Sequence, residues 1–382
     1  MSDARATGGR FQRVLAVLGL AWTSLAVAFV ASEVLLRVSA SSADPGADPA
    51  EGRGAAGERG AESSGMFQAH PYLGYQLVPG FVSQTPRFKN NDDTFRVSIN
   101  SLGFRGPEVE REKPDGVYRI VCVGGSTTFC TGATDDLKAY PAQLERMLNR
   151  KAESDLRFEV INAGCSGYTT AESLVNFALR LIDLEPDALV IYHAPNDARV
   201  AQCEGFVSDY THFRRAWVSR GESGLERSLL GRSRVVQRLT GDESGPVQRL
   251  QDYVFVEGFG QLHVPASERL VEGGLAAYER NLRSLVALAR SHGVEVVLQT
   301  FAFCEERETA EQNFGGMVHA MNARLAELAE ELQVPLFRAA KLLEGRCELY
   351  TDWMHYNDEG CERHAAGLAN WAMRQGQFGI GA

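Results

Sequence analysis

The first feature of the hydrophobic pattern is a run from Val14 to Ser32 with no charged residue, apolar on every face. A helix of about 20 such residues crosses a bilayer. Arg5, Arg10 and Arg13 precede the run, and positive residues stay on the cytoplasmic side. The pattern predicts a transmembrane signal anchor over 14–36 and a basic cytoplasmic tail over 1–13. The rest of the chain is then extracytoplasmic, in a periplasm or at the cell exterior. A cleaved signal peptide is the rival reading, but its apolar core spans only ~7–15 residues. Residues 37–65 are rich in Ala, Gly, Ser, Asp, Glu and Pro, without apolar periodicity. They read as a flexible linker.

Beyond the linker, short apolar runs alternate with helical spacing. Residues 118–124 (YRIVCVG), 157–163 (RFEVINA), 188–192 (ALVIY), 295–300 (EVVLQT) and 334–337 (VPLF) predict five buried strands. Tyr140, Leu144, Met147 and Leu148 recur at helical spacing. So do Leu275, Tyr278, Leu282, Leu285, Val286 and Ala289, and then Val318, Met321, Leu325, Leu328 and Leu332. Helices are also predicted over 171–184, stopped by Pro186, and over 358–374. The alternation implies an α/β body with a parallel, doubly wound sheet and helices on both faces. Two stretches lie outside it. Residues 66–116 predict a small β-rich lead-in ahead of a body spanning 117–378. Residues 199–272 read as an insertion in that body, structural or a lid.

Composition narrows the function classes. Hydrophobic residues make up 44% and charged residues 23% of the 382, as in a globular protein with a core. A net charge of −10 supplies no basic surface, so nucleic acid is not an expected partner. The seven cysteines contain no C-x-x-C pair, which argues against a zinc ribbon or a redox motif. Outside the cytoplasm disulfides become possible, and their pairing stays open.

Candidate chemistry sits at four chain positions. Strand one runs into Gly124-Gly125-Ser126-Thr127-Thr128, a tight turn that exposes a serine hydroxyl. It lacks the endings of a phosphate loop. Strand two ends in 162–169, where Gly167 can present an open N–H. Strand three ends in His193-Ala194-Pro195-Asn196-Asp197, where the Asn196 amide can donate to an oxyanion. Before the last helix, Asp352 stands three residues ahead of His355 and can orient its imidazole. With His364 these two would be candidate metal donors, but His364 is more than two helical turns further on. No metal or cofactor is expected. Each of these motifs alone also reads as a plain turn or cap.

Together they come in the order Ser, Gly, Asn, Asp-x-x-His, and here the sequence resembles the SGNH hydrolases, the GDSL-type esterases and acylhydrolases. The resemblance covers 119–375 apart from the insertion. Residues 99–106 (INSLGFRG) are similar to the stretch ahead of the core in membrane-anchored members. The family's Gly-Asp-Ser reads Gly124-Gly125-Ser126 here, and its Gly-x-Asn-Asp reads Ala194-Pro195-Asn196-Asp197. The resemblance implies a three-layer, flavodoxin-like fold and a carboxylic ester hydrolase. It implies catalytic Ser126, His355 and Asp352, and an oxyanion hole of Ser126, Gly167 and Asn196. His193 and Cys165 have no implied catalytic role, and Cys122 reads as packing. The expected activity is removal of O-acetyl or other acyl groups from envelope carbohydrate. An O-acetyltransferase for an exported polysaccharide, a lipid acylhydrolase and an anchored glycan-binding protein are the alternatives.

Overall fold

Five strands form the central sheet of the computed structural model, which describes residues 66–86, 94–151, 156–203, 205–213, 268–308 and 314–380. The anchor, tail and linker, and most of the insertion, lie outside the described residues. Among the described residues no helix is long and apolar enough to cross a membrane.

Among the described residues, four strands precede the sheet. β1 (Phe67–His70) pairs antiparallel with β2 (Gly74–Leu77), and β3 (Val82–Pro86) with β4 (Thr94–Ser98). The sheet then uses β5 (Val117–Gly124), β6 (Arg157–Asn162), β7 (Ala188–Tyr192), β8 (Glu295–Gln299) and β9 (Leu336–Phe337). All neighbours are parallel, in the order β6-β5-β7-β8-β9. This is the flavodoxin-like order. The chain steps from β5 to one side and then returns past it to β7. In open sheets of this kind ligands bind beyond the carboxyl ends at that reversal.

The strands are legible as continuous apolar runs because both sheet faces are covered. Every residue of β7 is buried, as are the last six of β5. One covering layer is α2 (Tyr140–Lys151) against α8 (Asp358–Gln375). The other contains α3 (Thr170–Asn176), α4 (Pro195–Ala201), α5 (Glu268–Ser291) and α6 (Gly315–Leu332). A single turn, α1 (Ser126–Phe129), follows β5, and α7 (Ala339–Leu343) follows β9.

Two elements differ from expectation. The helix expected over 171–184 keeps α geometry only in α3, then passes through a π turn (Phe177–Leu181) and a 3-10 turn (Ile182–Leu184). Glu185 closes it in the left-handed region (φ 51°). Pro186 follows, and a residue before proline is disfavoured in the right-handed helical region. The last strand is shorter than expected, because only Leu336 and Phe337 pair with β8.

The lead-in is packed onto the loops at the strand ends. Phe67, Tyr75, Leu77, Val97 and Ile99 form a buried cluster with Phe129, Cys165 and Tyr168. A disulfide joins Cys304, just past β8, to Cys347. It ties the β8 exit to the segment that leads into α8.

Candidate active site

Ser126 opens α1 directly beyond β5. Gly125 has no room for a side chain: a Cβ there would lie 2.4 Å from Asn196 Nδ2 and 3.1 Å from the Tyr168 carbonyl. The Gly125 carbonyl accepts from the Thr128 and Phe129 amides at 3.1 and 3.0 Å, which winds the turn tightly behind the serine.

His355 reaches this serine from a short closed loop. Tyr350 and Tyr356 pair across its base, and the Thr351 amide donates to the His355 carbonyl at 2.8 Å. Within the loop, Asp352 Oδ1 accepts from the Met354 and His355 amides at 2.9 and 2.8 Å. That local turn is why a carboxylate three residues ahead of a histidine faces its ring. Asp352 Oδ2 lies 2.6 Å from His355 Nδ1, and His355 Nε2 lies 2.7 Å from Ser126 Oγ. Partial burial raises the Asp352 carboxyl. The His355 hydrogen bond and charge and the two amides outweigh it and bring the group down to about 2. Asp352 is therefore ionised at neutral pH.

Asn196 sits in the first turn of α4, and its Nδ2 donates to the Tyr168 carbonyl at 2.8 Å. An amide nitrogen carries two hydrogens, so this bond uses only one. Gly167, beside Tyr168, holds a φ of +81°, which a side chain would strain. Between Gly125, Ser126, Ala194, Asn196 and Met354 lies a space of about 10 Å³, on the scale of one water.

Behind Asn196 is a buried polar network. Asp197 accepts from the Thr170 hydroxyl at 2.5 Å, the Tyr210 hydroxyl at 3.0 Å and the Thr170 amide at 3.2 Å. Burial pushes its carboxyl up to about 7, against these hydrogen bonds. His193 Nε2 pairs with Ser173 Oγ at 2.8 Å, and burial lowers its imidazole to about 4. His193 is thus a buried, neutral residue that also borders the space beside Ser126. Cys122 is fully buried in β5, and Cys165 packs in the lead-in cluster. His364 is directed away from Asp352: it lies in the core, 2.6 Å from Gln299 Oε1 and stacked on Tyr140.

The expected residues Ser126, His355 and Asp352 are brought into one hydrogen-bonded row, with Asn196 packed beside Gly125. The sequence reading missed Arg105 and Tyr75. Arg105 is buried and donates to the Phe129 and Cys130 carbonyls at 2.9 and 2.7 Å. Tyr75 donates to the Ser166 carbonyl at 2.5 Å. Only the arginine had a signal, its place in the 99–106 stretch.

The family model for GDSL-like lipases and acylhydrolases matches residues 122–363, more than half of the chain. The chain belongs to this family. That makes it a carboxylic ester hydrolase, and the match spans Ser126, Gly167, Asn196, Asp352 and His355. A search of curated proteins found no match. Solved structures similar to this GDSL-like protein include a lipase/acylhydrolase from Enterococcus faecalis, at 16% identity over 68% of this chain and 96% of that one, with a TM-score of 0.43. A catalytic mutant of an acetylxylan esterase from Geobacillus stearothermophilus is 15% identical over 68% and 93%, with a TM-score of 0.41. An alpha/beta hydrolase from the metagenome of Lake Arreo, Spain, is 17% identical over 66% and 94%, with a TM-score of 0.40.

Proposed function

We propose that the protein is an anchored, extracytoplasmic serine esterase that removes acetyl or similarly small acyl groups from envelope carbohydrate. The observation that carries the reading is the Asp352–His355–Ser126 row, with 2.6 and 2.7 Å spacings. In the proposed cycle His355 Nδ1–H donates to Asp352, which leaves Nε2 as the acceptor of the serine proton. Ser126 Oγ attacks the ester carbonyl as His355 takes its proton. The collapsing intermediate expels the alcohol, which receives that proton, and leaves an acyl-serine. Water, deprotonated by His355, then releases the acid and restores the serine. The Ser126 and Gly167 amides and the second Asn196 hydrogen hold the oxyanion. Each such donor contributes about 3–4 kcal/mol to the transition state.

The insertion mixes Arg214, Arg215, Arg220 and Glu222 with its aromatic residues, which favours a polar, short-acyl substrate over a lipid chain. The match to the lipase and acylhydrolase family favours hydrolysis over transfer to a sugar. The extracytoplasmic location rests on the apolar run and its preceding arginines. The Cys304–Cys347 disulfide supports it, since such bonds persist in oxidising compartments. The test is a chain-length series of p-nitrophenyl esters, followed by acetylated envelope polysaccharide with acetate release as the readout. The expected result is preference for acetyl over octanoyl and free acetate from the polymer. Preference for octanoyl would overturn the acyl assignment, and acetyl transfer without free acetate would overturn hydrolysis.

A further inference from the structure

Arg105 and Tyr75 both lie in the lead-in, ahead of the family match that begins at residue 122. Each grips one of the two loops that face the substrate in the reading above, on which this inference rests.

α1 is a single turn, so its terminal carbonyl groups have no helical partners. Its last residue is followed by Cys130 in the left-handed region (φ 62°), uncommon for a residue other than glycine. Arg105 ties these carbonyls down, alongside the Ala133 amide that donates to the Cys130 carbonyl at 2.9 Å. Nη1 donates to the carbonyls of Phe129 and Cys130, at 2.9 and 2.7 Å. Nε donates to Asp136 Oδ1 at 2.8 Å, and Asp136 Oδ2 in turn accepts from the Ser98 amide at 2.9 Å. The guanidinium is held between the Phe95 and Phe129 rings, 5.4 and 5.0 Å from their centroids, with no solvent exposure. The Arg105 backbone also bridges to Asn162, the last residue of β6. Such a buried fork can be satisfied in only one geometry, so it fixes the turn that begins at Ser126.

The second grip is on the loop of Gly167. Tyr75 Oη donates to the Ser166 carbonyl at 2.5 Å, and Tyr168 Oη donates to the Tyr75 carbonyl at 2.5 Å. The two bonds bracket Gly167 on either side, and the two rings meet edge to face at 5.3 Å.

We propose that the lead-in is part of the catalytic unit: Arg105 positions Ser126, and Tyr75 positions the Gly167 amide. Both are positioning residues, acting through groups that touch substrate. An ångström of misplacement at a reacting group costs about 10²-fold in rate.

The test uses the full chain in detergent with p-nitrophenyl acetate, comparing wild type with Arg105→Met, Arg105→Lys and Tyr75→Phe. Thermal melting and circular dichroism report folding. The expected result for Arg105→Met is a kcat loss of about 10²-fold with KM within about threefold of wild type. Arg105→Lys recovers part of kcat. Tyr75→Phe, which removes a single oxygen, loses about tenfold in kcat with its melting curve close to wild type. A role in stability alone would lower activity only in proportion to the unfolded fraction, and that result overturns the proposal. If Arg105→Met does not fold, Tyr75→Phe decides. Wild-type turnover with unchanged kcat in folded variants sinks the positioning inference alone. A wild type that neither turns over ester nor reacts with a fluorophosphonate sinks the esterase reading, and this inference with it.

Discussion

His355 Nε2 stands 2.7 Å from Ser126 Oγ across 229 residues of sequence. The sheet sets this distance, because β5 delivers the serine beyond its carboxyl end and the loop before α8 returns the histidine to the same end. Asp352 adds no long-range demand. It is held in place by the backbone amides of the loop it shares with His355.

The role of Asp352 is separable from that of its neighbours. Asp352→Asn keeps the loop amides supplied with an acceptor but removes the charge that fixes the imidazole tautomer. The expected outcome is a kcat loss of about 10³- to 10⁴-fold with KM little changed. Steady-state kinetics on p-nitrophenyl acetate check it. A loss below tenfold would mean that solvent replaces the carboxylate.

Gly125 carries a steric prediction. A methyl group there meets Asn196 Nδ2 at 2.4 Å and the Tyr168 carbonyl at 3.1 Å. Gly125→Ala therefore displaces the Asn196 amide while leaving Ser126 and His355 chemically intact. The expected cost is about 10²- to 10³-fold in kcat, that of one lost oxyanion donor. Asn196→Ala should cost about as much, and the double variant no more than the larger single effect. Additive losses would show that the two residues act separately.

Asp197 sets a pH dependence of stability. Burial pushes its carboxyl up to about 7 in the fold, against about 3.9 in an unfolded chain. Between those values the folded state holds a proton that the unfolded state has released. The contribution is fully present below about pH 4 and is lost as pH rises through 7, at most about 4 kcal/mol. His193, 3.9 Å from Asp197, and His364 act in the opposite sense. Burial holds them neutral, down to about 4 and about 3, so their stability is lost as pH falls. The measurement is the difference in melting temperature between Asp197→Asn and wild type from pH 4 to 8. The variant should gain on wild type as pH rises, and parallel curves would refute the assignment.

Much of this structure was legible in the sequence, for identifiable reasons. β7 and the Ile120–Gly124 part of β5 are covered on both faces, so they appear as unbroken apolar runs. Asp352 and His355 were legible because their contact is made within one turn. The stop before Pro186 was legible, but the shift to π and 3-10 geometry after α3 was not, since it depends on packing. Arg105 was marked only by its place in the 99–106 stretch. Its burial and its pairing with Asp136, 31 residues away, leave no local pattern. The Cys304–Cys347 pairing depends on the proximity of the β8 exit to the approach to α8, which spacing alone does not encode.

The central claim is an activated serine at position 126. Its most direct measurement is fluorophosphonate labelling of the full-length protein in detergent, beside Ser126→Ala and His355→Ala of equal folded content. The account predicts labelling of the wild type, mapped to Ser126, and its loss in both variants. Labelling that survives Ser126→Ala, or a folded wild type that does not react, would contradict it.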